Sequence, residues 1–273
     1  MSISVPTLHE VSYKTYMINC FGLQSPALLI GEEKALLIDT ACGNYDLAGF
    51  VRGITDLPLT VAITHAHGDH IGGLGQFDEA YVHSSDFVAV EKFNPQSISR
   101  YITGMLSNDQ WQCFAVPEEV LPWEKKPRLL PMEEGHVFNL GGRMVTVHHA
   151  PGHTPGACVF VDHASRIVFT GDAANRNLGI LSCSVEVALE GLLNVKSHTG
   201  EFDRNFTGHL GWGGNLTTAV SEGPEVLNTC VFICKGLLNG TLRGEEMDAD
   251  VFGRRTFITV NDVRISYDPT KLR

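Results

Sequence analysis

Thr60-Val61-Ala62-Ile63-Thr64-His65-Ala66-His67-Gly68-Asp69-His70 is the stretch on which the reading turns. It opens as an apolar, β-branched run, Thr60–Thr64, which reads as a buried strand. The strand stops where His65, His67, Asp69 and His70 fall within six residues. On a loop after a strand, side chains two apart can converge, and His70 enters a following helix at its first turn. Imidazole nitrogens with a carboxylate oxygen suit zinc, iron or manganese rather than calcium. Gly68, Gly72 and Gly73 permit the tight backbone that this crowding needs.

Working outward, the same punctuation recurs three times. His153 stands in Ala-Pro-Gly-His-Thr-Pro-Gly, Asp172 in Phe-Thr-Gly-Asp and His209 in Phe-Thr-Gly-His. Each sits at a strand end beside glycine, and loops after core strands are where scaffolds mount chemistry. The upstream runs Thr15–Cys20, Ala27–Ile30 and Ala35–Asp39 read as strands, with Gly31–Lys34 as a turn. Leu47–Ile54 reads as a short helix, Tyr81–His83 as a strand, and Ser84-Ser85-Asp86 as the start of a helix through Lys92. Downstream, Val137–Leu140 and Arg143–His149 flank Gly141-Gly142 as a hairpin, and Ala157–Asp162 with Arg166–Thr170 make a second strand pair. Ser184–Val195 has a helical period. Leu216–Leu238 reads as one or two helices broken near Gly223-Pro224, and Phe257–Val260 with Val263–Ser266 as a closing hairpin. Strands in groups with helices between them imply a layered α/β or α+β domain.

The 273 residues suffice for one large domain. Net charge is −11, which works against a nucleic-acid partner held by clustered Lys and Arg. No stretch approaches the roughly 20 apolar residues that span a bilayer, and residues 1–16 lack the pattern of a signal peptide. Seven scattered cysteines suit a reducing cytoplasm better than a disulfide scaffold, and Cys230 and Cys234 read as core residues on one helix face.

The run His-x-His-x-Asp-His followed by Gly-His, Gly-Asp and Gly-His resembles the metallo-β-lactamase superfamily, in order and context over residues 15–212. The resemblance implies an α+β fold, a four-layer αβ/βα sandwich, as one domain over residues 1–273. It also implies two divalent metals, zinc with manganese or iron as alternatives. By the same resemblance His65, His67 and His153 hold one metal, Asp69, His70 and His209 the second, and Asp172 bridges them. A metal-bridging hydroxide then attacks the substrate, and Asp69 orients it and passes its proton to the leaving group. No Gly-x-Ser-x-Gly elbow offers a protein nucleophile instead.

Hydrolysis of a small ester, thioester or lactone is the leading expectation. Aspartate at 172 matches the branch resembling glyoxalase II and lactonases, whereas β-lactamases of this fold usually carry Cys or Ser there. Phosphodiester hydrolysis of the nuclease type and a mononuclear-iron, persulfide-dioxygenase-like oxidoreductase are the alternatives. The partner expected is a small-molecule substrate, with no nucleic acid and no membrane.

Residues 93–132 lack a clear period yet carry Phe93, Tyr101, Met105, Trp111, Phe114 and Trp123, and read as an insertion between two ligand loops. Trp111 and Phe114 are candidate substrate contacts in a cover over the metals; the rival expectation is packing onto the domain or a homodimer partner. His83, His136, His148, His149, His163 and His198 are not assigned as ligands. His148 and His149 follow a strand directly and read as structural, with support of His153 as the alternative role.

Overall fold

The computed structural model describes residues 2–107, 109–210, 216–248 and 253–273. Asn108, inside the 93–132 segment, and positions 211 and 212, at the end of the 15–212 span, lie outside the described residues.

The first sheet has seven strands in chain order: β1 (Thr7–Ser12), β2 (Thr15–Asn19), β3 (Ala27–Ile30), β4 (Ala35–Ile38), β5 (Leu59–Ala62), β6 (Glu79–His83) and β7 (Arg128–Met132). Neighbours are antiparallel up to β4 and parallel from β4 to β7. Parallel neighbours need crossovers. These hold α1 (Leu47–Arg52), then α2 (Gly68–Ile71), then α3 (Phe87–Lys92) and α4 (Ser99–Leu106).

The second sheet takes β8 (Val137–Asn139), β9 (Met144–His149), β10 (Cys158–Asp162) and β11 (Ile167–Gly171). After β12 (Asn177–Gly179) and α5 (Val185–Ser197), β13 (Arg204–Thr207) returns to lie parallel to β11. The chain then forms α6 (Pro224–Asn239), β14 (Glu245–Asp248), β15 (Arg254–Val260) and β16 (Val263–Tyr267). These last strands join β12 in a small third sheet, ordered β12-β16-β15-β14.

Strand alternation sorts the apolar residues into three cores, and these define the layers. Ala27, Leu29, Leu36 and Ile38 pack with Val145, Val147, Phe160 and Phe169 between the two large sheets. Their strand neighbours Leu28 and Leu37 face the other way, onto Leu47, Val51, Val90 and Ile102 of the helices. Val159, Val161 and Val168 likewise turn outward onto α5, α6 and the third sheet. The result is the expected αβ/βα sandwich, and each fully buried Leu or Ile in it is worth roughly 1.5–3 kcal/mol. One buried ion pair ties the sheets together at their edge. Arg143 binds Asp162 bidentately at 2.7 and 3.0 Å and also donates to Thr15 Oγ1 and to the Lys14 and Ile30 carbonyls.

Several expectations change. The end of the 93–132 segment, which showed no clear period, is a regular strand: β7 pairs with β6 from Glu79–Arg128 to His83–Met132. Leu216–Leu238 holds a single helix that begins at Pro224, where proline fits the first turn; the residues before it are not helical. β1, β12 and β14 went unread because Thr7–Ser12 is a half-exposed edge and β12 and β14 are short or polar, whereas β15 and β16 form the expected closing hairpin. Cys230 and Cys234 are buried in the α5/α6 core, as expected.

Candidate metal centre

All seven expected ligand positions meet in one place. Thr64 follows β5, and the chain turns through His65, Ala66 and His67 into α2, a single turn that carries Asp69 and His70. His153 lies in the β9–β10 loop, while Asp172 and His209 follow the parallel neighbours β11 and β13.

Within this cluster His65, His67 and His153 each offer one donor atom within 4.8 Å of the others, and so do Asp69, His70 and His209. A third set, His65, His70 and Asp172, overlaps both. Asp172 Oδ2 lies 3.5 Å from His153 Nε2 and 3.3 Å from His209 Nε2, and its Oδ1 lies 3.7 Å from His70 Nε2. Asp69 Oδ2 is 3.3 Å from His209 Nε2 and 3.6 Å from His70 Nε2.

The histidines are fixed from behind. Nδ1 pairs with Thr64 Oγ1 for His65 at 3.1 Å, with Asp39 Oδ2 for His70 at 2.8 Å, with the Gly179 carbonyl for His153 at 2.6 Å and with the Leu23 carbonyl for His209 at 2.8 Å. Nε2 is thereby turned to the centre. The buried Nε2 atoms of His65, His70 and His153 and the Oδ1 of Asp172 have no hydrogen-bond partner in the protein. Buried polar atoms normally find partners, so converging orphans fit a divalent cation.

Electrostatics divide the cluster: against the lowering by burial, Asp69, Asp39 and Asp172 raise His70, and Asp172 with Asp69 raises His209 well above the ordinary imidazole value. Burial pushes His65 and His153 down and takes His67 to about 3, so these three are neutral, as ligands must be. Burial alone would raise both carboxyls, but surrounding histidines outweigh it. His209, His70 and His153 hold Asp172 well below the carboxylate range, and His70 and His209 hold Asp69 at about 2.

Close packing demands glycine at two positions. A Cβ on Gly208 would meet the His70 ring at 2.5 Å, and Gly171, at φ +50°, faces Thr64 Oγ1 at 2.5 Å.

Two supporting carboxylates escaped the sequence reading. Asp39, at the end of β4, accepts from Thr64 N at 2.7 Å and from Thr64 Oγ1, as well as holding His70. Asp86 joins two ligand loops: it accepts from Ala66 N at 2.9 Å, Thr154 Oγ1 at 2.8 Å and Gly156 N at 2.8 Å. Asp39 ends an apolar strand and Asp86 resembles an ordinary helix start, so neither carries a local mark.

His148 and His149 do not hold His153. His148 turns to Glu134, and His149 reaches the Pro155 carbonyl, in the His153 loop but not on the His153 ring. Trp111 and Phe114 are 3% and 7% exposed, within the core behind the first sheet. Phe114 packs edge-on to Phe21, and the Phe114 and Trp111 rings close on Gly22. Packing accounts for them, and buried side chains of this kind offer substrate no surface. Tyr101, on α4, donates to the same Leu23 carbonyl as His209, so the 93–127 segment does reach the back of the cluster.

Among the described residues no helix is long and apolar enough to cross a membrane. Comparison with known proteins gives one family. The chain is 31% identical over 155 residues to the acyl-coenzyme A thioesterase MBLAC2 of Gallus gallus, covering 53% of this chain and 55% of that protein. It is 31% identical over 156 residues to the hydroxyacylglutathione hydrolase GloC of Haemophilus influenzae, covering 55% and 66%. The chain thus matches little more than half the length of the first of these relatives. The DIM-1 metallo-β-lactamase superposes with a TM-score of 0.57 at 14% identity, over 86% of this chain and 99% of that one, a likeness of fold alone. The model of the metallo-β-lactamase superfamily matches residues 20–184, more than half of the chain and both of its first ligand loops. Family model, sandwich and clustered His and Asp side chains agree, and the chain belongs to the metallo-β-lactamase superfamily.

Proposed function

We propose that this protein is a dinuclear metal-dependent hydrolase whose substrate is a small acyl thioester. The strongest support is the set of buried, partnerless donor atoms on His65, His70, His153 and Asp172 that face one another in the cluster. His65, His67 and His153 would hold one ion, Asp69, His70 and His209 the other, and Asp172 both. Two bound divalent ions would supply a water of near-neutral pKa and polarise the substrate carbonyl.

The chain's own residues do the rest. Asp69, held ionised and 3.3 Å from His209 Nε2, would take the proton of the attacking water at Oδ2. Burial of the cluster excludes bulk water and strengthens every charge interaction in it. A thioester suits so modest an acid–base set, because a thiol with a pKa near 8.5 leaves readily as thiolate. The names of MBLAC2 and GloC point to the same bond.

The test measures thiol release from an acyl-coenzyme A and from a hydroxyacylglutathione, alongside metal content. Turnover is expected on at least one, with two ions per chain and loss of activity on chelation. Asp69→Asn should cut turnover by roughly 10²–10⁴-fold with metal content kept. Cleavage of phosphodiesters with both thioesters untouched would overturn the thioester assignment. A single iron per chain would overturn the dinuclear one.

A further inference from the structure

The small third sheet has one face that no part of the domain covers. Its inner face is taken, since Ile258, Val263 and Ile265 pack into the core of α5 and α6. Strand alternation sends the residues between them outward. There Asn177 on β12 stands opposite Arg264 on β16, and Arg264 opposite Thr259 on β15. One step along the strands, Gly179, Ser266, Phe257 and Glu245 form the next row, and Arg255 with Met247 the one after it. Glu245 is the one carboxylate among these paired residues. Arg255 and Arg264 outweigh it, so the face is cationic on a chain of net charge −11.

Arg264 is the member that calls for an anion. Arg143, Arg166, Arg176 and Arg254 each hold a carboxylate, whereas Arg264 forms no ion pair among the described residues. Its guanidinium carbon lies 3.8 Å from the centre of the Phe257 ring. That contact restrains the side chain and uses none of its N–H donors, so a half-exposed fork stays available for two bonds to one phosphate.

The same face runs up to the metal centre. A Cβ on Gly179 would stand 3.5 Å from His153 Nδ1, and the Gly179 carbonyl accepts from that nitrogen at 2.6 Å. Phe257 is two strands away in the same row, about 10 Å at the spacing of neighbouring strands. A molecule that reaches both places needs a reactive group at one end and negative charge at the other.

We propose that Arg264, with Arg255 beside it, holds the phosphates of a thioester whose thiol belongs to a nucleotide, as in an acyl-coenzyme A. This rests on the thioester reading above and adds the carrier to it. The acyl carbonyl would lie at the metal centre, and the thiol arm would cross β12 and β16 to the arginines. A thioester without a phosphate end reaches the centre but gains nothing from the sheet.

Steady-state kinetics of the metal-loaded protein test this with three substrates: an acyl-coenzyme A, the same acyl group on N-acetylcysteamine, and a hydroxyacylglutathione. Arg264→Gln should raise KM for the acyl-coenzyme A by roughly 10–100-fold, the scale for losing hydrogen bonds to a charged group, with kcat kept. KM for the N-acetylcysteamine thioester should not move. Arg264→Lys keeps the charge without the fork and should fall between the two. An unchanged KM in Arg264→Gln, an equal rise on all three substrates, or a rise confined to the hydroxyacylglutathione overturns the proposal. Free ADP separates this inference from the thioester reading, because its binding needs no turnover. ADP should bind the wild type and bind Arg264→Gln more weakly by a similar factor, whether or not any thioester is cleaved. Equal affinity, or no binding to the wild type, overturns the phosphate site even where thioesters are hydrolysed.

Discussion

Between Ile63 and Gly72 four candidate ligands share one turn of chain, whereas His153, Asp172 and His209 reach the same cluster from the ends of three strands. The first region is assembled locally. Its geometry follows from a strand that ends in a one-turn helix, and Asp39 pins it through Thr64 and His70. The second region exists only when β9, β11 and β13 lie in register in one sheet. Asp86 is the joint, since its carboxylate accepts from Ala66 in the first region and from Thr154 and Gly156 in the second. A site divided this way has preformed ligands on one side and fold-dependent ligands on the other. Metal binding therefore reports on the packing of the two sheets.

The largest effect is expected at Asp172, the carboxylate that faces both ligand sets. Asp172→Ala should lower metal content from two towards one ion per chain and cut turnover beyond the roughly 100-fold seen for outer partners of metal ligands. Metal analysis with unchanged stoichiometry would break the division, because the second region would then contribute nothing shared.

Asp39 and Asp86 sharpen it. Asp39→Asn alters the partner held directly behind His70, so chelator competition should show the ion assigned to Asp69, His70 and His209 weakened by roughly 10–100-fold and the other less. Asp86→Ala should weaken chiefly the ion assigned to His65, His67 and His153, whose two loops Asp86 joins. It also strips the acceptor from the buried amides of Ala66 and Gly156, each costing about 1–3 kcal/mol, so its thermal midpoint should fall further than that of Asp39→Asn. Equal metal and thermal profiles for the two variants would show that the regions are not separately supported.

The smallest effect concerns a brace of the second region. Glu222 pairs through its backbone with Asn205 on β13, the strand that leads to His209. Burial pushes its carboxyl up to about 7, above the ordinary 4.5. A carboxyl raised on folding contributes stability in full below about pH 4.5 and loses it as pH rises through 7. Glu222→Gln should therefore be more stable than wild type above pH 7, by about 1–3 kcal/mol, and converge with it near pH 5. A constant difference across that range would mean that the side chain acts through packing instead.

The sequence by itself determined the candidate metal-bearing turn and a layered order of strands and helices, while the four-layer sandwich was implied by the family resemblance. Four candidate ligands in six residues after a β-branched run carry their geometry locally, whereas Ala27–Ile30 and Ala35–Ile38 are apolar throughout, so they announce buried strands and the packed sheets decide which core each residue enters. His153, Asp172 and His209 were legible because glycine beside a strand end marks a tight loop. Tertiary structure alone decided the supports and the surroundings. Asp39 and Asp86 act through groups 20 to 70 residues away, so no spacing announces them. Trp111 and Phe114 could have faced substrate or core, because an aromatic ring suits either until its neighbours are placed, and Phe21 and Gly22 place them inside. His148 stands five residues from His153 yet turns to Glu134, since side chains on a strand alternate between faces and the face is chosen by what the sheet packs against.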